Sequence, residues 1–458
     1  MNILVIGNGF DLAHGLPTKY TDFLLFCRII KSLYCVESID EPVRGLWDEL
    51  EIEEDRQTND LKEFFCELYK LRRVERKHYT TIEEKLDGIV TDTCWDEFAM
   101  CIGAEWYRNL WILYFLNNGH YAKENWIDFE CEISTIIKSL DDAMMFKNEQ
   151  VQDLDDLARE IDNDFLTRIY IEGALEGESA WGRKGFSTFG KIKESLLEDL
   201  NKLIRALEIY LCEYISKIHV EVVAPEIESL AIDHVLSFNY TDTYEKVYGN
   251  SRNGSEIEEY DYIHGKAYIN NTLDSNNMVL GIDEYLSDER KDSDVKFIEF
   301  KKFYQRVYKG SKMGVKSWCG EIKKQAEYEN YSRKFLLEKQ IEYELINISG
   351  PDEYTWTNYE KNARVYDEIY RETHKKHRVY IYGHSLDVTD KDVLRDLILN
   401  DNVYTTIFYY SKDGEEKSDL RKKLANLTRL IGEDELIRRT AGDSKTISFV
   451  MQENMVKR

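Results

Sequence analysis

The feature that most constrains the fold of this chain is its first stretch, residues 1–17 (MNILVIGNGFDLAHGLP). Residues 3–6 form a short apolar run with the length and branching of a buried strand. The run ends at Gly7-Asn8-Gly9, where a chain can turn sharply and present backbone N–H groups to an anion. Residues 10–13 can then begin a helix whose positive end faces the same point. The stretch therefore predicts a strand, a turn and a helix start that together form a phosphate cradle.

The glycine spacing separates this turn from the usual dinucleotide-binding fingerprint. The third glycine of that fingerprint is expected three residues after Gly9, where Leu12 stands, and the next glycine is Gly15. No second strand with an acidic end follows at the expected distance. Two interpretations of the turn stay open: a ligand-binding turn, or a tight strand-to-helix connection that binds nothing.

Length and composition argue against several classes of protein. At 458 residues the chain exceeds the usual single domain, which indicates a core with insertions or two to three lobes. It has no apolar segment of the ~18–20 residues that a membrane span needs, and it begins with a strand instead of a signal peptide. We therefore expect a cytoplasmic protein without membrane contact.

Net charge and cysteine spacing argue against two further kinds of protein, extended nucleic-acid binders and zinc ribbons. The net charge of −26 argues against extended binding to nucleic acid, which depends on neutralisation by Lys and Arg, although it does not exclude a local basic channel. The eight cysteines include no CxxC pair, which argues against a zinc ribbon and indicates scattered buried thiols. We expect no metal cofactor.

Periodicity divides the chain into a discontinuous core and two insertions. In residues 18–230 apolar side chains recur at helical spacing, for example in residues 61–71, and residues 286–374 return to charged helix. Short apolar runs alternate with helical stretches near the C-terminal end, which implies a parallel sheet. The predicted fold is an α/β, Rossmann-like parallel sheet with large helical insertions, whose core comprises residues 1–17, 231–285 and 375–458.

Polar side chains follow the predicted core strands where each strand ends. The strands predicted at residues 234–237, 261–264 and 378–382 lead to three sets of candidates: Asn239 to Asp242, His264, and Gly383 to Asp387. A further strand is predicted at residues 278–282. Because the carboxyl ends of parallel strands meet at one edge of a sheet, we expect these candidates and the Gly7 turn to share a crevice. The alternative is that these polar residues are ordinary loop residues without a role in binding.

A pair of carboxylates lies within the first insertion. Asp128 and Glu132 are four residues apart in the run that begins at Trp126, so a helix would bring them to one face. With Glu130 they could bind a cation or act in acid–base chemistry. An acidic helix surface beside an apolar stripe is the favoured interpretation, because such pairs are common in so acidic a chain.

The motifs at the strand ends resemble those of a known family. Residues 7–17 (GNGFDLAHGLP) with 18–23 (TKYTDF), and residues 382–387 (YGHSLD), look like blocks of the AbiH proteins, the bacterial abortive-infection family of phage defence. Further blocks of that family are similar to residues 126–130 (WIDFE), 238–241 (FNYT), 263–265 (IHG) and 303–306 (FYQR). The resemblance spans nearly the whole chain. It implies an antiphage effector controlled by a trigger protein of phage or host origin, or by a switch in a homo-oligomer.

A more distant resemblance links the core to SIR2-like domains. Their GAGxS…GxP turn is similar to residues 7–17, their TTNYD strand end to residues 237–242, and their His-Gly to His264-Gly265. Asp11 stands near the position where sirtuins have Ser, and the zinc-binding cysteines of sirtuins are missing. The resemblance implies a SIR2-like fold that binds NAD and hydrolyses the bond between nicotinamide and ribose.

The same resemblance implies roles for individual residues. Asn239 and His264 are the implied catalytic residues. The NAD-binding residues that it implies are those of the glycine turn, Gly7, Asn8, Gly9, Phe10 and Asp11. The expected convergence of the strand ends adds Tyr240, Gly383, His384, Ser385 and Asp387 to the predicted binding residues.

Four ionisable residues near these motifs have simpler interpretations. His14 is predicted to pack or to form hydrogen bonds on the first helix, and His384 to shape the pocket floor. Asp387 and Asp390 are predicted to favour the N-terminus of the following helix.

Two other functions stay open beside NAD hydrolysis. One is a metal-dependent, nuclease-like effector that uses Asp128, Glu130 or Glu132, against which the negative charge argues. The other is non-enzymatic: the pocket senses a nucleotide, and the helical region binds a phage or host protein.

Overall fold

The structure of the protein is a computed structural model that describes twelve segments of the chain. These are residues 1–35, 93–104, 108–117, 128–146, 189–249, 257–286, 289–291, 293–311, 313–348, 376–411, 418–442 and 445–458. The helix predicted at residues 61–71, and Trp126, lie outside the described residues. The chain divides into two compact units, a first of Met1–Leu16, Ile218–Lys266 and Gly310–Arg458, and a second of Pro17–Lys217 and Ala267–Lys309.

The first unit contains a six-stranded parallel sheet. The strands of the described residues are β1 (Asn2–Ile6), β2 (Val222–Val223), β3 (His234–Ser237), β4 (Glu259–Tyr262), β5 (His377–Tyr382), β6 (Val403–Tyr409), β7 (Ile447–Met451) and β8 (Val456–Lys457). The sheet has the order β4-β3-β1-β5-β6-β7, and β2 pairs separately with β8 in an antiparallel ladder. Numbered along the chain, the six strands have the order 3-2-1-4-5-6. The prediction of an α/β protein with a parallel sheet is confirmed.

Helices account for the remaining regular structure of the described residues. They are α1 (Asn8–Ala13), α2 (Tyr20–Cys35), α3 (Thr93–Cys101), α4 (Leu110–Asn117), α5 (Phe129–Phe146), α6 (Phe189–Glu213), α7 (Pro225–Glu228), α8 (Thr243–Tyr248), α9 (Lys302–Tyr308), α10 (Gly314–Ile348), α11 (Lys391–Ile398), α12 (Ser418–Ile431) and α13 (Glu433–Thr440), with short 3₁₀ turns between some of them. Of these, α2 to α6 and α9 belong to the second unit. None of the helices in the described segments is long and apolar enough to cross a membrane.

Strand β1 lies at the centre of the sheet because both of its faces are apolar. Ile3 and Val5 belong to a buried cluster that also contains Val379 of β5 and side chains of α10, α11 and α12. Leu4 and Ile6 belong to a second buried cluster, on the face that α1, α7 and α8 cover. A strand buried on both faces has a continuous apolar sequence, which is why residues 3–6 signalled it.

The prediction of a strand at residues 278–282 is wrong, because the structure, which describes these residues, has no strand there. The run is buried in the second unit, where Ile282 forms only an isolated parallel bridge with Lys301. The side-chain amide of Gln305 satisfies the backbone of Leu280, since Oε1 accepts from its N–H (3.1 Å) and Nε2 donates to its carbonyl O (3.1 Å). A side chain thus replaces the neighbouring strand, and apolar periodicity alone does not distinguish the two cases.

Two glycine turns meet at the carboxyl ends of β1 and β5. A Cβ atom on Gly7 would lie 2.8 Å from Cα of His384, and one on Gly9 would lie 2.8 Å from the carbonyl O of Gly383. Gly383 itself has a φ of +67°, and a Cβ there would lie 2.1 Å from the backbone N of Phe10. Glycine is therefore needed at these positions because the two backbones are in direct contact.

This contact predicts that Gly383→Ala destabilises the protein far more than a matched substitution elsewhere. Gly310 has nearly the same φ, +65°, but a Cβ there would meet nothing within 4 Å. Gly310→Ala adds only left-handed strain, so we expect it to lower the free energy of unfolding by about 1 kcal/mol. Gly383→Ala adds a backbone clash, so we expect a loss of at least about 3 kcal/mol. Denaturant unfolding measures both, and equal losses would contradict the contact.

Candidate functional site

The candidate site lies at the carboxyl ends of the central strands of the first unit. Ile6 of β1 is in register with Ser237 of β3 and Tyr382 of β5, so these three strands end at one level. The strand order reverses beside β1, because β3 and β4 lie on one side of it and β5 on the other. In open parallel sheets a crevice forms at such a reversal. The sheet thus brings together the four strand ends that the sequence singled out.

Backbone N–H groups of the glycine turn are used within the protein. Gly7 N–H donates to the carbonyl O of Tyr382 (3.3 Å), and Gly9 N–H donates to that of Gly383 (2.8 Å). Phe10 N–H donates to the carbonyl O of Gly7 (2.8 Å), and the Phe10 ring is fully buried in the core. These three N–H groups therefore do not supply the predicted phosphate cradle.

Asp11 is a buried carboxylate with only one satisfied oxygen. Its Oδ2 accepts a hydrogen bond from Thr241 Oγ1 (2.6 Å), and Thr243 Oγ1 in turn donates to Thr241 Oγ1 (3.1 Å). Its Oδ1 is buried and has no hydrogen-bond partner among the described residues. Burial raises the pKa of Asp11 to about 6, although the hydrogen bond from Thr241 lowers it. Burying such an acceptor unsatisfied costs about 1–3 kcal/mol, which marks Asp11 as a candidate for ligand binding.

Asn239 holds the ends of β1 and β3 together. Its Nδ2 donates to the carbonyl O of Gly7 (3.0 Å), and its backbone N–H donates to Ser237 Oγ (3.1 Å). The side chain is buried, while the next residue, Tyr240, is half-buried with its ring centroid 6.4 Å from that of His264. Asn239 thus has an architectural role that its sequence context did not reveal.

His264 and His384 share one carboxylate. Nε2 of His264 lies 3.3 Å from Oδ1 of Asp390, and Nε2 of His384 lies 3.4 Å from Oδ2 of the same residue. All three side chains are buried. Phe238 packs against both rings, with centroid distances of 5.5 Å to His264 and 4.3 Å to His384. The structure therefore joins two histidines that follow different strands.

Asp390 is the site residue that the sequence analysis missed. Asp390 stands at the N-cap of α11, which is the helix terminus that the sequence analysis assigned to it, but its side chain makes no capping hydrogen bond. Asp387 does cap the preceding turn, since its Oδ1 accepts from Thr389 N–H (3.1 Å). One signal in the sequence could have indicated this role. Asp387 is sufficient to cap the turn at residues 388–390, so the second carboxylate, at Asp390, is not needed as a cap there.

The loop after β5 has an unusual backbone at Leu386. Its φ is 61°, in the left-handed region that non-glycine residues rarely adopt. The Leu386 side chain is fully buried, and its N–H donates to Nδ1 of His384 (2.9 Å). Ser385 is exposed, and its carbonyl O accepts from Asn426 Nδ2 (3.0 Å). Such strain persists only where the surroundings fix it, and it is common at functional sites.

His14 has the structural role that the sequence predicted. Its Nδ1 lies 2.7 Å from the carbonyl O of Phe10, which can only accept, so Nδ1 carries the proton. Its Nε2 then accepts from the hydroxyl of Tyr248 (2.8 Å). Burial lowers the pKa of His14, which favours this neutral form.

The three carboxylates of the nuclease alternative bond to protein groups in the second unit. Asp128 Oδ1 accepts from the backbone N–H groups of Glu130 (3.0 Å) and Cys131 (3.1 Å) at the start of α5. Glu130 pairs with Lys302 Nζ (2.6 Å), and Glu132 accepts from the Tyr114 hydroxyl (2.6 Å). Within the described segments, no group of three or more His, Cys, Asp or Glu residues is arranged to hold a metal ion. Each of these carboxylates is thus paired with a protein group in this structure.

Comparison with known proteins identifies a family. The family model described as "Bacteriophage abortive infection AbiH" matches residues 3–410, which contain all four strand ends of the site. No curated protein and no solved structure matches the chain. The resemblance that the motifs indicated is thereby confirmed at the level of the family.

The environment of Asp11 predicts a pH-dependent effect of Asp11→Asn on stability. Its pKa in the folded protein, about 6, exceeds the ordinary value of 3.8, so the folded state binds this proton more tightly than the unfolded state. Ionisation therefore destabilises the fold as the pH rises from about 4 to 6, by roughly 3 kcal/mol in all. Asparagine can still accept from Thr241 and does not ionise. The Tm of Asp11→Asn, relative to wild type, should be higher at pH 8 than at pH 4, and a pH-independent difference would contradict the buried ionisation.

Proposed function

The chain belongs to the AbiH family and thus to the proteins of bacteriophage abortive infection, and we propose that its core binds NAD and hydrolyses the bond between nicotinamide and ribose. The observation that carries the proposal is the convergence of Asp11, Asn239 and His264 where the strand order reverses. The order 3-2-1-4-5-6 is that of Rossmann-type sheets, which bind dinucleotides at this point. The resemblance to SIR2-like domains supports NAD as the ligand.

The proposed reaction makes modest demands on the protein. The bond between ribose C1′ and the nicotinamide nitrogen breaks, its electron pair neutralises the pyridinium ring, and a water oxygen bonds to C1′ and releases a proton. The transition state resembles an oxocarbenium ion, so positioning and polar groups near the ribose supply the catalysis. The imidazole of His264 can accept a proton from a ribose hydroxyl, and the Asn239 amide offers a donor and an acceptor without charge.

Asp11 and the glycine turn indicate which part of the nucleotide would lie at the end of β1. The turn directs three N–H groups to protein carbonyls, whereas Asp11 Oδ1 is an acceptor that needs a donor. A ribose hydroxyl satisfies that oxygen and a phosphate does not, because a phosphate carries negative charge. The ribose, not the pyrophosphate, is therefore the proposed neighbour of Asp11. The half-buried ring of Tyr240, whose centroid lies 6.4 Å from that of His264, is the proposed neighbour of a base.

The proposal is tested by nicotinamide release from NAD, measured on the purified full chain with and without lysate of phage-infected cells, since the effector is expected to need a trigger. We expect release by the wild type in at least one condition. His264→Ala should lower the rate about 10²–10⁴-fold, as loss of an acid–base group does, and Asn239→Ala at least about tenfold. Calorimetry with NAD measures binding separately from turnover.

Exposed residues of the same types provide the controls. His219 and Asn270 lie on the surface, so His219→Ala and Asn270→Ala should leave both binding and release unchanged. Thermal unfolding of every variant distinguishes a lost group from a lost fold. NAD binding without release would favour the nucleotide-sensing alternative. Neither binding nor release in any condition would refute the proposed function.

A further inference from the structure

We propose that Asp390 is a positioning residue that fixes the protons of His264 and His384 on their Nε2 atoms, so that Nδ1 of His264 is the proton-accepting atom. The part of this inference that concerns catalysis rests on the proposed function. The part that concerns the positions of the protons does not, because it follows from contacts within the protein.

The position of the proton on His384 follows from its two neighbours. Nδ1 of His384 receives the N–H of Leu386 (2.9 Å), so this nitrogen carries the lone pair. In the neutral ring the proton is then on Nε2, which faces Asp390 Oδ2 at 3.4 Å. The position of Leu386, which adopts a rare left-handed backbone, thus determines the tautomer of His384.

The position of the proton on His264 follows from its contact with Oδ1, the other oxygen of the Asp390 carboxylate. An ionised carboxylate only accepts, so the nitrogen that faces it must donate. Nε2 of His264 lies 3.3 Å from Asp390 Oδ1, which places the proton on Nε2 and the lone pair on Nδ1. In hydrolases with a catalytic triad, an acidic residue likewise bonds to a histidine and holds its ring in the productive tautomer.

The burial and direction of Asp390 argue against a merely local role. Its side chain is 11% exposed and stands at the N-cap of α11, yet it makes no capping bond. An asparagine would suit a helix N-cap equally well. Only a carboxylate can accept from two rings through its two oxygens without offering a donor. Phe238, packed against both rings, keeps them in place.

The chemical consequence concerns the proton that leaves the ribose. Nδ1 of His264 forms an N–H bond as the O–H bond of a ribose hydroxyl breaks, and the imidazolium that results is stabilised by the Asp390 carboxylate. The ring returns the proton after water has bonded to C1′. No oxidant, reductant or metal is needed for this transfer.

The test is the tautomeric state of the two rings in Asp390→Asn. An asparagine amide presents one acceptor and one donor. Because Leu386 fixes Nδ1 of His384 as an acceptor, His384 should keep its Nε2 proton and take the amide oxygen. The amide NH₂ then faces His264, whose proton should move from Nε2 to Nδ1. Long-range ¹H–¹⁵N spectra of protein labelled at the histidine ring nitrogens, assigned with His264→Gln and His384→Gln, report both positions directly.

Three outcomes decide the positioning inference. Wild type with both protons on Nε2, together with a change at His264 alone in Asp390→Asn, supports it. A wild-type His264 with its proton on Nδ1 overturns it, and so does an unchanged His264 in a folded Asp390→Asn. The wild-type spectrum keeps the inference testable if Asp390→Asn does not fold. Asp396→Asn, which removes an exposed carboxylate from the same helix, should change neither ring.

Nicotinamide release distinguishes this inference from the proposed function. If the wild type releases nicotinamide, Asp390→Asn should lower kcat by at least about a hundredfold with little change in KM, since it moves the His264 proton onto Nδ1, the accepting atom, and removes no binding group. Asp390→Glu keeps both acceptors and should restore part of the rate. Release unchanged in a variant whose His264 proton has moved would overturn the role of Nδ1. No release by the wild type in any condition, with the predicted tautomers, would refute NAD hydrolysis and leave the positioning role of Asp390 supported.

Discussion

The direct contact of two backbone turns, one after β1 and one after β5, is the constraint on which the rest of the site depends. Gly9 N–H bonds to the carbonyl O of Gly383, and neither turn has room for a Cβ at the contact. Because the turns touch, the loops that carry Asp11 and His384 start from fixed positions on neighbouring strands. The glycines that look like a phosphate-binding sequence therefore serve first to bring two strand ends together.

Two buried carboxylates, those of Asp11 and Asp390, lie near these turns, and they differ in the partners of their oxygens. Asp390 directs its two oxygens towards two imidazoles, whereas Asp11 has one oxygen bonded to Thr241 and one without a partner among the described residues. A buried carboxylate with an unsatisfied oxygen lowers the stability of the folded chain. A ligand that supplies a hydroxyl removes this penalty, so the arrangement fits a site that is completed by binding. Both carboxylates belong to the first unit.

The parts of the fold that follow from local chemistry were predictable from the sequence. Residues 3–6 indicated a buried strand because burial of both faces leaves a continuous apolar run. The same rule failed at residues 278–282, where the side chain of Gln305, distant in sequence, satisfies the backbone in place of a neighbouring strand. Strand order, which brings β1 between β3 and β5, depends on long-range pairing that no local pattern encodes.

In the candidate site, too, some features could be predicted from the sequence and others depend on long-range contacts. The sequence analysis named Asp11, Asn239, His264 and His384 as candidates because each follows a predicted strand. The role of Asp390 was not found, because an aspartate before a helix is ordinarily a cap, and only the structure shows that it makes no capping bond. The use of the glycine-turn N–H groups by protein carbonyls was equally hidden, since it requires the position of the second turn.

The central claim, that the ends of β1, β3 and β4 form one nucleotide site, is tested most directly by a crystal structure of His264→Ala grown with NAD, a variant in which turnover is expected to be slow. The account predicts NAD at these strand ends, with a ribose hydroxyl within hydrogen-bond distance of Asp11 Oδ1 and the nicotinamide bond beside the position of the missing imidazole. NAD bound elsewhere, or an empty crevice at a saturating concentration, would contradict it.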